Sequence, residues 1–184
     1  MEAWLTHLLT RIDDATARLM VTVRGLTDEQ VGEPSLLPGW TRGHVLTHIA
    51  RAAEAHRNLL EAARTGADIP AYASQEARDT DIEKGASRPV AEHVADIERT
   101  AAVFRAAVDT VPEDAWATEV TILHLDPFPV RQVVLRKLVE LELHHVDLDA
   151  GYRPADWPAT FEPLKLPEPM RSQAADRVSW FSAR

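Results

Sequence analysis

The 184-residue chain contains no cysteine. That excludes disulfides, zinc ribbons and a protein thiol nucleophile. Any metal must be held by His, Asp or Glu, and any thiol chemistry must use a thiol brought from outside. Basic residues are in deficit, with 20 Lys and Arg against 29 Asp and Glu, a formal net charge of −9. Nucleic acids and anionic membranes select for basic patches, so neither is expected as a partner. There is no apolar run of about 18 residues, so no transmembrane helix is expected. Met1-Glu2-Ala3-Trp4 lacks the basic-then-apolar plan of a signal peptide, and a cytoplasmic location is expected. Strand signals are scarce as well. Thr118-Glu119-Val120-Thr121-Ile122-Leu123 is the one β-like stretch, too short to make a sheet alone.

What the chain has is helical periodicity. Trp4, Leu5, Leu8, Leu9, Ile12, Ala15, Leu19 and Val23 recur at the spacing of one helix face. Thr27-Asp28-Glu29-Gln30 reads as a capping box for a short following turn. Thr41 is placed to cap a second helix that runs to about Arg64, with Gly66 as its stop. Ser74 can cap a short helix in the long connection 67–87. Ser87 is expected to cap a third long helix, with Pro89 early in it and Val94, Ile97, Ala101, Phe104 and Val108 inside. A fourth is expected from near Pro129 to about Ala150, stopped by Gly151. The tail is mostly irregular, with one helix over Glu168–Phe181. Four long helices with long connections predict an all-α four-helix bundle with crossovers.

Glu140 and His144 lie four residues apart, one turn apart on one helix face. His44 and His48 form a second four-residue pair upstream. Two His and one Glu make a known catalytic zinc set that keeps a fourth position open. His48 sits among Val45, Ile49 and Ala52, a buried face, which favours His48, Glu140 and His144. The His44/His48 pair with either Glu140 or His144 is the competing combination. Such spacings also occur on solvated helices, so they are a weak signal alone. Glu142 and His145 fall on other faces and are expected to be exposed. Asp147 can orient a ligand imidazole or simply sit near the helix end. Trp40 stands just before the helix that bears His48. Tyr72 and Arg78 lie in the long connection, where an Arg on a lid is a natural carboxylate clamp.

Four blocks resemble the mycothiol-dependent maleylpyruvate isomerase family of the DinB-like metalloenzyme superfamily. They are Ser35-Leu36-Leu37-Pro38-Gly39-Trp40-Thr41-Arg42-Gly43-His44-Val45-Leu46-Thr47-His48, Tyr72-Ala73-Ser74 with Arg78-Asp79-Thr80-Asp81-Ile82-Glu83, Glu140 through Leu148, and Gly151 through Pro158. The resemblance covers about residues 1–160 in collinear order. It implies a DinB-like bundle and a divalent metal, Zn2+ or another first-row ion, on His48, Glu140 and His144. It also implies mycothiol as thiol cofactor. Arg78 is then a catalytic candidate, and Trp40, Arg42 and Tyr72 are cofactor-binding candidates. Arg42 and Arg78 are both candidates for the cationic patch that a dianionic substrate needs.

The implied reaction is cis–trans isomerisation of maleylpyruvate to fumarylpyruvate by reversible thiolate addition. The isomerases carry a further C-terminal lobe that contributes an arginine. Residues after about 162 depart from it, leaving Arg171, Arg177 and Arg184 as the arginines available. The expected organisation is a metal-binding bundle over 1–160 and, over 161–184, a tail or remnant of a second lobe. A monomer or homodimer is expected. Two alternatives stand beside the isomerase: a thiol S-transferase of the same fold, and a non-catalytic metal- or ligand-binding bundle.

Overall fold

A computed structural model describes residues 3–182. Its elements, in chain order, are α1 (Ala3–Arg24), α2 (Asp28–Val31), α3 (Arg42–Thr65), α4 (Gln75–Ala86), α5 (Val90–Val108), β1 (Glu119–Val120), β2 (Phe128–Pro129), α6 (Arg131–Asp147) and α7 (Met170–Ser182). Short 3-10 turns occupy Glu113–Ala117, Pro154–Asp156 and Pro163–Lys165. No helix among the described residues is long and apolar enough to cross a membrane.

The expected four long helices are α1, α3, α5 and α6. They close a ring in which α1 and α3 each pack on both α5 and α6. The period of α1 turns Leu5, Leu9, Ile12, Leu19 and Val23 into the core. Helix α3 is buried most widely, because α4 also packs on it. Glycine permits that approach. A Cβ on Gly43 would stand 1.9 Å from the carbonyl oxygen of Ala86, and one on Gly85 would stand 2.5 Å from the Thr47 side chain.

The helix ends follow local chemistry. The Thr27 and Gln30 box caps α2. Thr41 caps α3, with the His44 ring as its reciprocal partner, and Gly66 ends that helix in the left-handed region at φ 71°. Ser74 caps α4. Two boundaries differ from expectation. Ser87 lies at the C-terminal end of α4, and Pro89 takes the N-cap position of α5 without a side-chain cap of its own. The first amide of α5, on Val90, instead donates to Asp28 Oδ1 at 2.7 Å, a cap supplied from α2. Pro129 belongs to β2, which pairs antiparallel with β1, so α6 starts at Arg131. After Gly151 the chain folds back over α6. Helix α7 docks there through Met170 and Ala174.

Candidate metal centre

Helices α3 and α6 meet where His48 faces Glu140 and His144. His48 Nε2 lies 3.0 Å from Glu140 Oε2 and 3.0 Å from His144 Nε2. His144 Nε2 lies 3.0 Å from Glu140 Oε2. Three donor atoms thus form a near-equilateral triangle. Ligands about 2.0–2.1 Å from one tetrahedral metal lie about 3.3 Å apart, close to these edges. Hydrogen bonding alone satisfies the triangle poorly, since two imidazole nitrogens facing each other need a proton between them. Three lone pairs aimed at one point suit a divalent cation better. Among the described residues this is the His and carboxylate group whose donor atoms converge closely enough to hold a metal.

His44 does not join it. Its Nδ1 lies 2.8 Å from Thr41 Oγ1, and its Nε2 lies 3.0 Å from Glu83. The ring is half-buried in the cap of α3, not exposed.

The electrostatics follow from crowding. Burial pushes the His48 pKa below its ordinary value, helped by the facing His144 and outweighing the pull of Glu140. Burial also opposes protonation of His144, but Asp147 and Glu140 overcome it and raise the pKa to about 9. Burial would raise Glu140, yet hydrogen bonds from both imidazoles hold it well below the usual carboxylate range. Asp147 accepts from His144 Nδ1 at 2.8 Å, so Nε2 is the nitrogen that gives up its proton and offers a lone pair to the cluster when His144 becomes neutral. Asp147 is fully buried and accepts two further bonds from Arg177 on α7.

The cluster floors a cleft of about 270 Å³ whose wall includes Leu37, Trp40, Arg78, Val139, Gln173 and Arg177. The Trp40 ring meets His48 edge-on at 5.6 Å. Arg78, on α4, places Nη2 3.3 Å from His48 Nδ1 and stands within 6.0 Å of both the Trp40 and Tyr72 rings. Burial raises the Tyr72 phenol to about 12, so it stays protonated. Tyr72 lines a neighbouring cavity with Arg78 and Arg51, near enough to the cluster for Glu140 to help raise its phenol. Arg42 is outside the cleft. It donates to the carbonyls of Gln30, Leu148 and Asp149 and pairs with Glu33, tying the loop before α3 to the end of α6. A larger cavity of about 680 Å³ lies between the end of α3, loop 66–75 and β1. Its acidic and imidazole groups, Asp68, Glu119 and His124, are exposed and do not converge as the donors in the smaller cleft do.

Two expectations fail. Glu142 and His145 are buried, 2% and 3% exposed. Glu142 accepts from Arg18 on α1 and from the Tyr152 hydroxyl, both at 2.6 Å. His145 stacks on Tyr152 at 3.8 Å and bonds Thr22. The returning chain after Gly151 covers what an isolated α6 would leave in water. Of the C-terminal arginines, Arg177 reaches the cleft wall, Arg171 pairs with Glu168 in solvent, and Arg184 lies outside the described residues. Gln173 has no signal in the sequence, because only the docking of α7 brings it to the cleft.

Fold and cluster together define a helical-bundle protein with a His2Glu donor set. A model of the mycothiol maleylpyruvate isomerase N-terminal domain matches residues 12–149, and the chain belongs to that family. Crystal structures of the mycothiol-dependent maleylpyruvate isomerase and of a histidine-to-alanine mutant of it are similar, both with a TM-score of 0.79. Identity is 32% to the former and 31% to the latter, over 84% of this chain. The chain spans 64% of the length of those proteins. No curated protein matches the sequence. The observed bundle is the expected DinB-like one.

Proposed function

We propose that this chain is a mycothiol- and divalent-metal-dependent maleylpyruvate isomerase that turns the cis double bond trans by reversible thiolate addition. The convergence of His48 Nε2, Glu140 Oε2 and His144 Nε2 at the floor of the cleft carries the reading. Family membership supports the thiol and the substrate, and a chain without cysteine agrees with an imported thiol. Zinc is the metal inferred, because His2Glu is a catalytic zinc set with an open position. Such an ion makes a thiol acidic enough to ionise near neutral pH. In this reading residues 1–160 form the metal-binding unit, 161–184 are a tail or second-lobe remnant, and the protein works in the cytoplasm.

The chain's own residues then divide the work. His48 and His144 give Nε2 lone pairs, and Glu140 gives a carboxylate oxygen. Trp40, Leu37, Val139 and Leu143 keep water from the floor of the cleft. Arg78 supplies positive charge for an anionic substrate. His48 Nδ1 accepts from Arg78 only while its ring proton sits on Nε2. With Nε2 given to a metal, His48 would carry its ring proton on Nδ1. Arg78 can only donate, so it would lose that partner and, still held through Nη1 by Asp79, would have Nη2 to offer a carboxylate in the cleft.

A second reading, a thiol S-transferase, is favoured by one observation. Arg177 is committed to Asp147 and Arg78 pairs with Asp79 at 2.7 Å, so among the described residues neither arginine of the cleft wall is uncommitted toward a dianion. The test is to incubate zinc-loaded protein with mycothiol and maleylpyruvate and follow the products. Catalytic formation of fumarylpyruvate that requires mycothiol is the expected result. A stable thioether would establish the transferase instead. No turnover on a panel of electrophiles would leave a binding bundle.

A further inference from the structure

Helix α7 lies outside the ring of four helices, yet it brings Gln173 and Arg177 to the cleft of the cluster, and Arg177 bonds Asp147. Arg177 donates from Nε to Asp147 Oδ1 at 3.1 Å and from Nη2 to Asp147 Oδ2 at 2.8 Å. This is a two-pronged pairing that fixes a carboxylate in plane as well as in position. The same Oδ2 accepts from His144 Nδ1 at 2.8 Å. Arg177 is itself held in place. Its Nη1 donates to the Gln173 carbonyl at 3.0 Å, and its guanidinium lies 5.0 Å from the Trp180 ring centre. Asp147 is 0% exposed and Arg177 is 7% exposed. A carboxylate so desolvated stays in place only if its charge is met. When His144 is neutral, Arg177 is the cation that meets it.

We propose that Arg177 is a positioning residue of the metal centre, which aims Asp147 at His144 and so couples the docking of α7 to metal affinity. The inference rests on the metal reading above and adds a role for the C-terminal helix. Groups that orient a ligand imidazole typically change metal affinity by about 10- to 100-fold when removed. Coupling is reciprocal: if a docked α7 strengthens metal binding, metal binding strengthens the docking of α7 by the same factor.

The test uses the full chain and Zn2+ alone, with affinity read by chelator competition. Arg177→Met is expected to weaken zinc binding about 10- to 100-fold, and Arg177→Lys, which keeps the charge but not the fork, to fall in between. Asp147→Asn is expected to weaken it similarly, and the double variant to lose little more than Asp147→Asn alone, because Arg177 acts through Asp147. A readout without any variant is amide exchange in wild-type α7, which is expected to slow on adding zinc. Wild-type affinity in Arg177→Met, additive losses in the double variant, or unchanged exchange in α7 would each overturn the inference and leave the metal centre standing. A wild-type protein that binds no zinc would overturn both.

Discussion

Single residues in this bundle are decided by what folds over them, and α6 shows it clearly. The i, i+4 pair Glu140 and His144 was legible because its partner face on α3 was marked by Val45, Ile49 and Ala52. Glu142 and His145 were not legible, because Arg18 and Thr22 are distant in sequence and Tyr152 reaches them only when the chain turns back after Gly151. Lys137 belongs with them. It is 1% exposed and makes no hydrogen bond or ion pair among the described residues. Burial pushes its amine down to about 8, with Glu140 pulling the other way and His56 and Arg136 nearby. The unfolded chain therefore binds more protons between about pH 8 and 10.4, and stability rises with pH across that window. Below it the full cost, about 3 kcal/mol, applies. Lys137→Met is expected to raise the urea midpoint at pH 7 and to flatten the stability profile between pH 8 and 10. An unchanged midpoint would show that the amine is satisfied in solution.

At the scale of elements, ends marked by their own residues were readable and ends completed from elsewhere were not. Thr41, Ser74 and Gly66 act where they stand. The start of α5 borrows Asp28 from α2, and Ser87, which the sequence marks as a cap for α5, ends α4 instead. The seating of α4 on α3 was equally invisible, since only the approach of Ala86 explains Gly43. That seating matters because α4 carries Arg78 to His48. Gly43→Ala must push α4 away from a carbonyl 1.9 Å from the new Cβ. Overpacking of this kind typically costs about 1–3 kcal/mol. The expected outcome is a lower thermal midpoint together with reduced turnover from a displaced Arg78. Turnover that falls with wild-type stability, or stability that falls with wild-type turnover, would separate the two effects and refute the link.

At the scale of the molecule, the ring of α1, α5, α3 and α6 gathers His48, Glu140 and His144 at one seam, and α7 closes over it. The bundle was legible from periodicity. The docking of α7 was not, because its anchors, Met170, Ala174 and Arg177, keep the spacing of one helix face but include a single large apolar side chain, and nothing in them marks α6 as the partner. The carboxylates Glu140, Asp147 and Asp79 stand against Arg78 and Arg177, so a dication held between His48, Glu140 and His144 would leave the cleft positive. That polarity suits anionic ligands within a chain of net charge −9. Binding that favours the folded state must also stabilise it. Zinc at about 100 times its dissociation constant is expected to add about 2.7 kcal/mol. The thermal midpoint then rises by several degrees, and His144→Ala abolishes the rise.

The most direct measurement is the stoichiometry of zinc on the purified chain, by calorimetric titration of wild type beside His48→Ala. One ion per chain, with binding lost or greatly weakened in His48→Ala, is the predicted result. A wild type that binds no stoichiometric zinc, or a His48→Ala variant that binds as wild type does, would contradict the assignment of His48, Glu140 and His144 as the metal centre.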